Sequence, residues 1–493
     1  MNTKYILLLL IFIGFTACET DETVIIIEDI PLTSGSANFS SFVALGASFT
    51  AGFSDGALFI ASQENSFPNI LSDQFANIGG GDLSQPLMND NIGGLLLGGV
   101  QIQDPRLIFD GVGPVRLDAV PTTEVSNILA GPFNNVGVPG AKSFHLLAPG
   151  YGNIAGVATG QANPYFVRMA SNPNITMLGD AMAQNATFFT LSEIGGNDVL
   201  SYSVSGGLGV DQTGNFDPST YGSNDITDPT VLAGTVSIIV DGLTANGAMG
   251  VMANVPYVTS LPYFTTVPYN PVPLDAASAA GLNAGYAEYN GGLLQAEALG
   301  FITADEREDR TILFVEGQNA VVIEDEDLTD LSALGLPSFR QTTPDDLMVL
   351  PGASFIGTLV DNNPLLINGL SVPLTDQWVL TFTETASVIT ATDAYNVAIE
   401  GIAASKGLAL VDFKSVLAQA STTGIPFDDF TMNTNLVVGG LVSLDGIHLT
   451  ARGYALMANK FLEAIDATYG SNFHEAGVVA KADDYVVSYP VFL

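Results

Sequence analysis

The chain has 493 residues, of which 47% are hydrophobic and 13% are charged, so it holds ample apolar material for a large core. Disorder throughout the chain is excluded, because disordered chains have too little apolar surface to bury. The 13 Lys and Arg residues against 51 Asp and Glu residues give a formal net charge of −38, which repels phosphate backbones and disfavours nucleic-acid binding.

Residues 1–17 are predicted to form a lipoprotein signal peptide. Lys4 precedes an apolar run, 5–15, that is too short to span a bilayer, and small residues then lead to Cys18, the only cysteine of the sequence. This arrangement resembles the lipobox of bacterial lipoproteins, in which the signal is cut before the cysteine and the cysteine is lipidated. An ordinary secretory signal with an incidental cysteine is the alternative.

The acidic residues 19–22 that follow Cys18 resemble the surface-export signal of Bacteroidetes-type lipoproteins. The two resemblances imply a protein of the cell envelope, held on the outer membrane through a lipid on Cys18, with surface exposure left open. Residues 18–38 are interpreted as the lipidated cysteine and a tether, because Pro, Ser and Gly residues precede the first predicted strand.

The first strand is predicted over residues 42–46, an apolar run that stops at Gly46, and Ser48 follows two residues later. The pattern indicates a buried strand that ends in a tight turn and presents a hydroxyl at the carboxyl edge of a sheet. Ligands bind at that edge in open α/β sheets. Such a serine is a nucleophile only if a base and an oxyanion site are supplied elsewhere in the chain.

Helices and buried strands then alternate along the chain. Further strands are expected near Asn134 and over 187–191, 250–253 and 408–411. This alternation is typical of right-handed βαβ units on a parallel sheet, so an α/β fold with five parallel strands is predicted.

Three helix starts are marked by capping residues. Asp228 precedes Pro229 as an N-cap, Thr381 begins a capping box, and Thr450 is the natural N-cap of a last helix that stops at Gly470.

Two long insertions, about 78–133 and 270–377, interrupt the predicted domain 39–470 and are expected to wall its pocket. The second is expected to contain a helix over 275–299 and a strand over 311–315. Its acidic run 324–327 is interpreted as a solvated face. The tail 471–493 is expected to have a strand-like end.

Polar residues suited to catalysis follow several of the predicted strands. Gly140 lies in a glycine-containing loop, and Asn197 follows Gly195 and Gly196 at the end of the third strand. His448, one of only three histidines, has Asp445 three residues before it. That spacing lets the aspartate bind one ring nitrogen and leave the other to face Ser48.

Four blocks together resemble the SGNH (GDSL-type) hydrolases. The blocks are residues 46–49 (GASF), Gly140 in 138–143 (VPGAKS), 195–198 (GGND) and 445–448 (DGIH), and they occur in the family's order. The resemblance spans roughly residues 38–469. It implies a flavodoxin-like three-layer α/β/α sandwich and an ester hydrolase that needs no cofactor or metal.

The resemblance also assigns roles to single residues. Ser48 corresponds to the nucleophile, His448 to the general base and acid, and Asp445 to its partner. The oxyanion hole would be the backbone N–H groups of Ser48 and Gly140 and the side-chain amide of Asn197. The first block departs from the family's pattern, because Ala47 and Phe49 occupy the positions where the family has Asp and Leu. These two positions do not belong to the triad. An alanine at position 47 nevertheless changes the hydrogen bonding of the turn.

The leading hypothesis is therefore a carboxylic ester hydrolase that forms an acyl-enzyme on a lipid or an acylated carbohydrate. Two alternatives remain: a surface-binding lipoprotein on a decayed hydrolase fold, and an acyltransferase that uses the same site.

Overall fold

The structure, a computed structural model, describes residues 30–493. The predicted signal peptide, Cys18 and the first part of the predicted tether lie outside the described residues. Within them, residue 36 already belongs to the folded body, because the Ser36 N–H donates to the Tyr469 carbonyl over 2.8 Å.

The core of the protein is a five-stranded sheet in the order β5-β4-β3-β1-β2. Every neighbouring pair in it is parallel. This is the strand order of flavodoxin-like folds, and it confirms the predicted α/β class and strand count. The strands are β1 Phe42–Gly46, β2 Asn135–Gly137, β3 Phe188–Leu191, β4 Met249–Ala253 and β5 Ala409–Val411.

Helices cover both faces of the sheet, because successive strand residues point to opposite sides. Val43 and Leu45 pack in one buried cluster, and Phe42 and Ala44 pack in the other. The helices are α1 Phe67–Ala76, α2 Met177–Ala183, α3 Gly196–Val204, α4 Pro229–Thr244, α5 Phe382–Lys406, α6 Phe413–Ala420 and α7 Ala451–Tyr469. Helices α2 to α5 contribute to the first cluster and α1 and α7 to the second, which gives a three-layer sandwich.

The predicted helix starts are confirmed by their caps. Asp228 accepts the N–H groups of the first turn of α4, and Thr381 forms a capping box with Glu384 at the start of α5. Thr450 Oγ1 accepts the Gly453 N–H over 2.9 Å, and Gly470 ends α7 with a φ of +72°.

The remaining elements lie mostly in the insertions, and all but the 23-residue helix Ala276–Ala298 are short. The other helices are Ser48–Ala51, Ile60–Glu64, Pro164–Met169, Pro262–Thr265, Ala276–Ala298, Ala304–Arg310 and Gly352–Phe355. The other strands form two-stranded sheets: Leu95–Leu97 with Val100–Gln103, Leu107–Phe109 with Pro114–Arg116, Val272–Leu274 with Gly317–Asn319, Val322–Glu324 with Phe339–Gln341, Leu347–Met348 with Val379–Leu380, and Ile425–Phe427 with Phe430–Met432.

The strand predicted over 311–315 is wrong. Ile312 and Phe314 are buried, which produces the alternating pattern, but the segment pairs with no strand within the described residues. The N–H groups of the two buried residues bind side chains of the helix Ala276–Ala298 instead: Ile312 N–H donates to Asn290 Oδ1 over 3.1 Å, and Phe314 N–H donates to Asn283 Oδ1 over 2.8 Å.

Two smaller expectations are also corrected. The acidic run 324–327 is not a fully solvated face, because Asp325 is buried in an ion pair with Arg340. The tail 471–493 contains no strand; it packs on the domain, where Phe473 is fully buried and Pro490 O accepts a hydrogen bond from Arg106 over 2.6 Å. Among residues 30–493 there is no helix with both the length and the apolar character needed to cross a bilayer.

Candidate active site

Ser48 lies at the carboxyl end of β1, in the turn of residues 46–50 that holds the predicted nucleophile and is called the nucleophile turn below. The strand ends at Gly46, and Ser48 begins the short helical turn Ser48–Ala51. A side chain at position 46 would lie 2.2 Å from Thr50 Oγ1 and 2.7 Å from the Ser192 carbonyl, so only glycine fits there. The tight packing fixes the direction in which the chain leaves the sheet, and with it the position of Ser48.

Glu193, at the end of the neighbouring strand β3, holds this turn through four hydrogen bonds. Its Oε2 accepts the N–H groups of Ala47 and Phe49 over 3.0 and 2.9 Å. Its Oε1 accepts the N–H and the hydroxyl of Thr50 over 3.0 and 2.7 Å. Glu193 has a φ of +63°, which is uncommon for a residue other than glycine and marks a position that the surroundings hold in place.

The four bonds leave one amide of the turn free. The N–H groups of residues 47, 49 and 50 all point at Glu193, whereas the Ser48 N–H has no partner within the described residues. A free N–H beside the serine hydroxyl is what an oxyanion hole requires. Burial raises the pKa of the Glu193 carboxyl, and the bonds from Thr50, Phe49 and Ala47 oppose that rise in part.

Sequence reasoning assigned no role to Glu193. It did note that Ala47 lacks the carboxylate that the family has in this turn. The structure supplies a carboxylate to the same turn from another strand, and the Ala47 side chain is fully buried beside it. The signal that could have identified Glu193 is its position directly before the 195–198 block, where a strand ends next to β1.

Asp445 and His448 form the hydrogen-bonded pair that their spacing predicts. Asp445 Oδ2 lies 2.8 Å from His448 Nδ1, and the two side chains are 11% and 12% exposed. Asp445 Oδ1 also accepts the N–H groups of Ile447 and His448, each over 2.9 Å. Gly446 makes this turn possible, since its φ of +77° and its close approach to Tyr263 leave no room for a side chain.

The surroundings keep Asp445 ionised. Burial by itself raises the pKa of the Asp445 carboxyl, but His448 and the N–H donors of the turn outweigh burial and hold this pKa well below its usual range. A carboxylate fixed in this way directs the Nδ1 proton of His448 toward itself and leaves Nε2 free to accept a proton.

His448 and Ser48 line the same cleft. The imidazole lies between Phe49 and Phe53, with ring centroids 5.6 and 4.6 Å away. Neither Ser48 Oγ nor His448 Nε2 makes a hydrogen bond within the described residues. Catalytic hydrogen bonds are often long without substrate and shorten when it binds.

Asn197, at the start of α3, lines this cleft as well. One N–H of its amide donates to the Ala141 carbonyl over 2.9 Å, which leaves the second for another acceptor. The loop 138–143, which contains Ala141, is also held by Asp198, because this carboxylate accepts the Ser143 N–H and hydroxyl over 2.9 and 2.7 Å. Gly140 lies next to Ala141 with a φ of +78°, but it does not itself line the cleft.

The structure thus brings Ser48, His448 and Asn197 to one cleft, with Asp445 behind the histidine and Gly140 in the adjoining loop. The other two histidines lie elsewhere. His145 Nδ1 accepts the Lys142 N–H over 3.0 Å, and burial lowers the pKa of His145 to about 4. His474 pairs with Asp466 over 3.2 Å.

The cleft has about 1000 Å³ of space, counted with the solvent at its mouth, and its walls are predominantly apolar. The lining residues come from the segments 48–49, 192–200, 254–261, 413–417 and 441–460, each of which contributes some of its side chains. The expectation that the insertions 78–133 and 270–377 wall this pocket is therefore wrong. The walls come from loops at the carboxyl edge of the sheet and from helices α6 and α7.

Within residues 30–493, no group of three or more His, Cys, Asp and Glu side chains is placed to hold a metal ion. Comparison of the chain with protein-family models, with curated proteins and with solved structures gives no match. Any functional conclusion therefore depends on the geometry of the site itself.

Proposed function

We propose that this protein is a serine ester hydrolase that works through a covalent acyl-enzyme. The observation that carries the proposal is the convergence of three parts on one cleft: the Ser48 hydroxyl, the His448 ring with Asp445 bound to its Nδ1, and a free Ser48 N–H. These are the nucleophile, the oriented base and the oxyanion donor that acyl transfer requires.

In the proposed mechanism, His448 Nε2 accepts the Ser48 proton while Ser48 Oγ attacks the ester carbonyl carbon. The carbonyl oxygen becomes an oxyanion and is bound by the Ser48 N–H and by the free amide N–H of Asn197, while the Gly140 N–H of the adjoining loop is the third donor that the family resemblance implies. When the C–O bond to the alcohol breaks, His448 returns the proton to the alcohol oxygen. Water then attacks the acyl-enzyme by the same route, with His448 as base, and releases the acid.

Asp445 contributes by orientation and charge. Its bond to Nδ1 fixes the tautomer that leaves Nε2 as the acceptor, and its negative charge stabilises the imidazolium that forms in each proton transfer. The low pKa of Asp445 keeps that charge in place at neutral pH.

The test is hydrolysis of p-nitrophenyl esters by the wild type and by Ser48→Ala, together with labelling by a fluorophosphonate, which reacts only with an activated serine. We expect turnover and labelling in the wild type and loss of both in Ser48→Ala. Ser405→Ala, which removes an exposed hydroxyl near the end of α5, is the matched control and should change neither. Undiminished turnover in Ser48→Ala, or no labelling of the wild type, would reject the proposal in favour of a binding protein.

We also propose that Cys18 anchors the mature protein to the outer membrane through a lipid. The proposal is supported by the placement of Cys18 after an apolar segment and small residues. Expression in a bacterium fed an alkyne-labelled fatty acid should label the wild type and leave Cys18→Ser unlabelled. Equal labelling of the two proteins would exclude lipidation at this residue.

A further inference from the structure

The cleft that holds Ser48 continues between two helices beyond the catalytic groups. Gly453, Leu456, Met457 and Lys460 line it from α7, and their spacing places them on one face of that helix. Phe413, Val416 and Leu417 line it from α6, again on one helical face. The cleft is therefore a channel between α6 and α7 that starts at the nucleophile.

The channel offers almost no hydrogen-bonding groups to a ligand. Asn254, a polar residue in its wall, already uses its amide: Nδ2 donates to Asp412 over 2.8 Å and Oδ1 accepts the Lys414 N–H over 3.0 Å. At the far end, Lys460 Nζ pairs with Glu463 over 2.8 Å. A sugar in the channel would bury hydroxyl groups without partners, which is unfavourable, whereas a hydrocarbon chain loses nothing there.

The length of the channel sets the size of the chain. Gly453 and Lys460 are seven residues apart on α7, so the lined face is about 10 Å long at 1.5 Å per residue. An extended chain advances about 3.6 Å for every three bonds, so about 10 Å corresponds to roughly eight bonds.

We propose that the acyl group of the substrate is a fatty acyl chain of about eight to ten carbons or longer, which lies between α6 and α7 with its carbonyl at Ser48. The proposal rests on the proposed function for the ester bond, and it selects a lipid-like acyl group over the acetyl group of an acetylated carbohydrate. The alcohol part of the ester leaves through the mouth of the cleft and is not bound in the channel.

The first experiment is a chain-length series of p-nitrophenyl esters from acetate to palmitate. Within the channel, each added methylene should raise kcat/KM about fourfold, up to about eight carbons. Met457→Trp fills the channel from α7 and should lower kcat/KM for decanoate at least about thirtyfold while changing that for acetate less than threefold. Leu365→Trp, at an exposed position of the insertion 270–377, is the matched control and should leave the series unchanged.

A second experiment does not depend on turnover. Ser48→Ala should bind a fluorescent fatty acid such as cis-parinaric acid, and addition of Met457→Trp should abolish that binding. If Met457→Trp does not fold, Met457→Ala replaces it and should move the chain-length optimum to longer or branched acyl groups.

The outcomes separate the two proposals. Ser48-dependent hydrolysis that is fastest on acetate and unaffected at position 457 would overturn the fatty acyl proposal and leave the hydrolase intact. Binding of cis-parinaric acid that Met457→Trp abolishes, without hydrolysis of any ester, would reject the hydrolase and support the channel.

Discussion

Glu193 provides the sharpest test of how the nucleophile turn works. The substitution Glu193→Gln keeps the size of the side chain and replaces one carboxylate oxygen by an NH₂ group. Both oxygens accept two donors each, so an NH₂ group must face two donors in either orientation. The orientation that points the NH₂ group toward Thr50 costs less. The Thr50 hydroxyl can rotate away from it, and the remaining oxygen still accepts the N–H groups of Ala47 and Phe49.

The cost can be worked from these contacts. In the better orientation the Thr50 N–H loses its acceptor, and Thr50 is fully buried. A buried donor left without a partner costs about 1–3 kcal/mol, so we expect the free energy of unfolding to fall by about that amount. The larger effect is on catalysis. The new NH₂ group at position 193 repels the Thr50 N–H, and the turn shifts to separate the two donors. A displacement of about 1 Å in a reacting group such as Ser48 lowers the rate about a hundredfold.

The assay measures kcat and KM on p-nitrophenyl esters and the rate of fluorophosphonate labelling, each normalised to the folded fraction from urea unfolding. We expect kcat and the labelling rate to fall about a hundredfold, with KM within threefold of the wild type because the walls that α6 and α7 contribute to the cleft are unchanged. Glu124→Gln is the matched control: Glu124 also accepts three backbone N–H groups, from Gly98, Gly99 and Ser126 over 3.0, 2.9 and 3.3 Å, but it lies in the first insertion.

Any of three results would refute this reasoning. If Glu193→Gln keeps kcat within threefold of the wild type, the turn does not depend on the carboxylate. If the loss of activity only follows the loss of folded protein, Glu193 stabilises the fold and does not position Ser48. A reduction equal to that in Glu124→Gln would lead to the same conclusion.

Three further predictions test other parts of the site. Asp445→Asn should lower kcat about 10³- to 10⁴-fold with little change in KM, because it removes the acceptor that fixes the His448 tautomer; steady-state kinetics on the best ester checks it. Asn197→Ala should lower kcat about 10²- to 10³-fold if its free N–H binds the oxyanion, and an unchanged kcat would remove it from the oxyanion hole. Burial raises the pKa of Asp55 from 3.8 to about 7, so the folded state holds the proton more tightly than the unfolded state and the wild type loses stability as pH rises between those values. The variant Asp55→Asn does not lose this stability. Urea unfolding of both proteins should therefore show that the free energy of unfolding of Asp55→Asn, minus that of the wild type, is larger at pH 8 than at pH 4 by up to about 4 kcal/mol. The same difference at both pH values would contradict this prediction.

The parts of the fold that could be predicted from the sequence are those determined by residues close to one another in the chain. The five strands were identifiable because short apolar runs end in glycine or polar residues, and Gly46 and Asn197 mark two of those ends. The helix starts at Asp228, Thr381 and Thr450 were identifiable because a capping side chain bonds to N–H groups two or three residues away. The pairing of Asp445 with His448 follows the same logic, since the two residues share one turn.

The errors arose where distant residues decide the structure. The pattern over 311–315 indicated a strand because Ile312 and Phe314 are buried, yet their N–H groups bind asparagine side chains of a helix. Asp325 was expected in solvent because nothing near it in the sequence indicates Arg340 as its partner. The walls of the cleft were assigned to the insertions, whereas packing brings residues of α6 and α7 to the cleft that holds Ser48.

The carboxylate that binds the nucleophile turn comes from the end of another strand, and this has a consequence for the whole site. A carboxylate at position 47 would belong to the nucleophile turn itself, so it could order that turn without reference to its neighbours. Glu193 belongs to the turn after β3, and β3 pairs with β1 in register from Phe42 with Phe188 to Leu45 with Leu191. The free Ser48 N–H and the start of α3 at Asn197 are therefore fixed by one connection across the sheet, from β1 through Glu193 to the 195–198 block. A change that loosens the pairing of β1 with β3 should then impair the proposed nucleophile and the proposed oxyanion donor together.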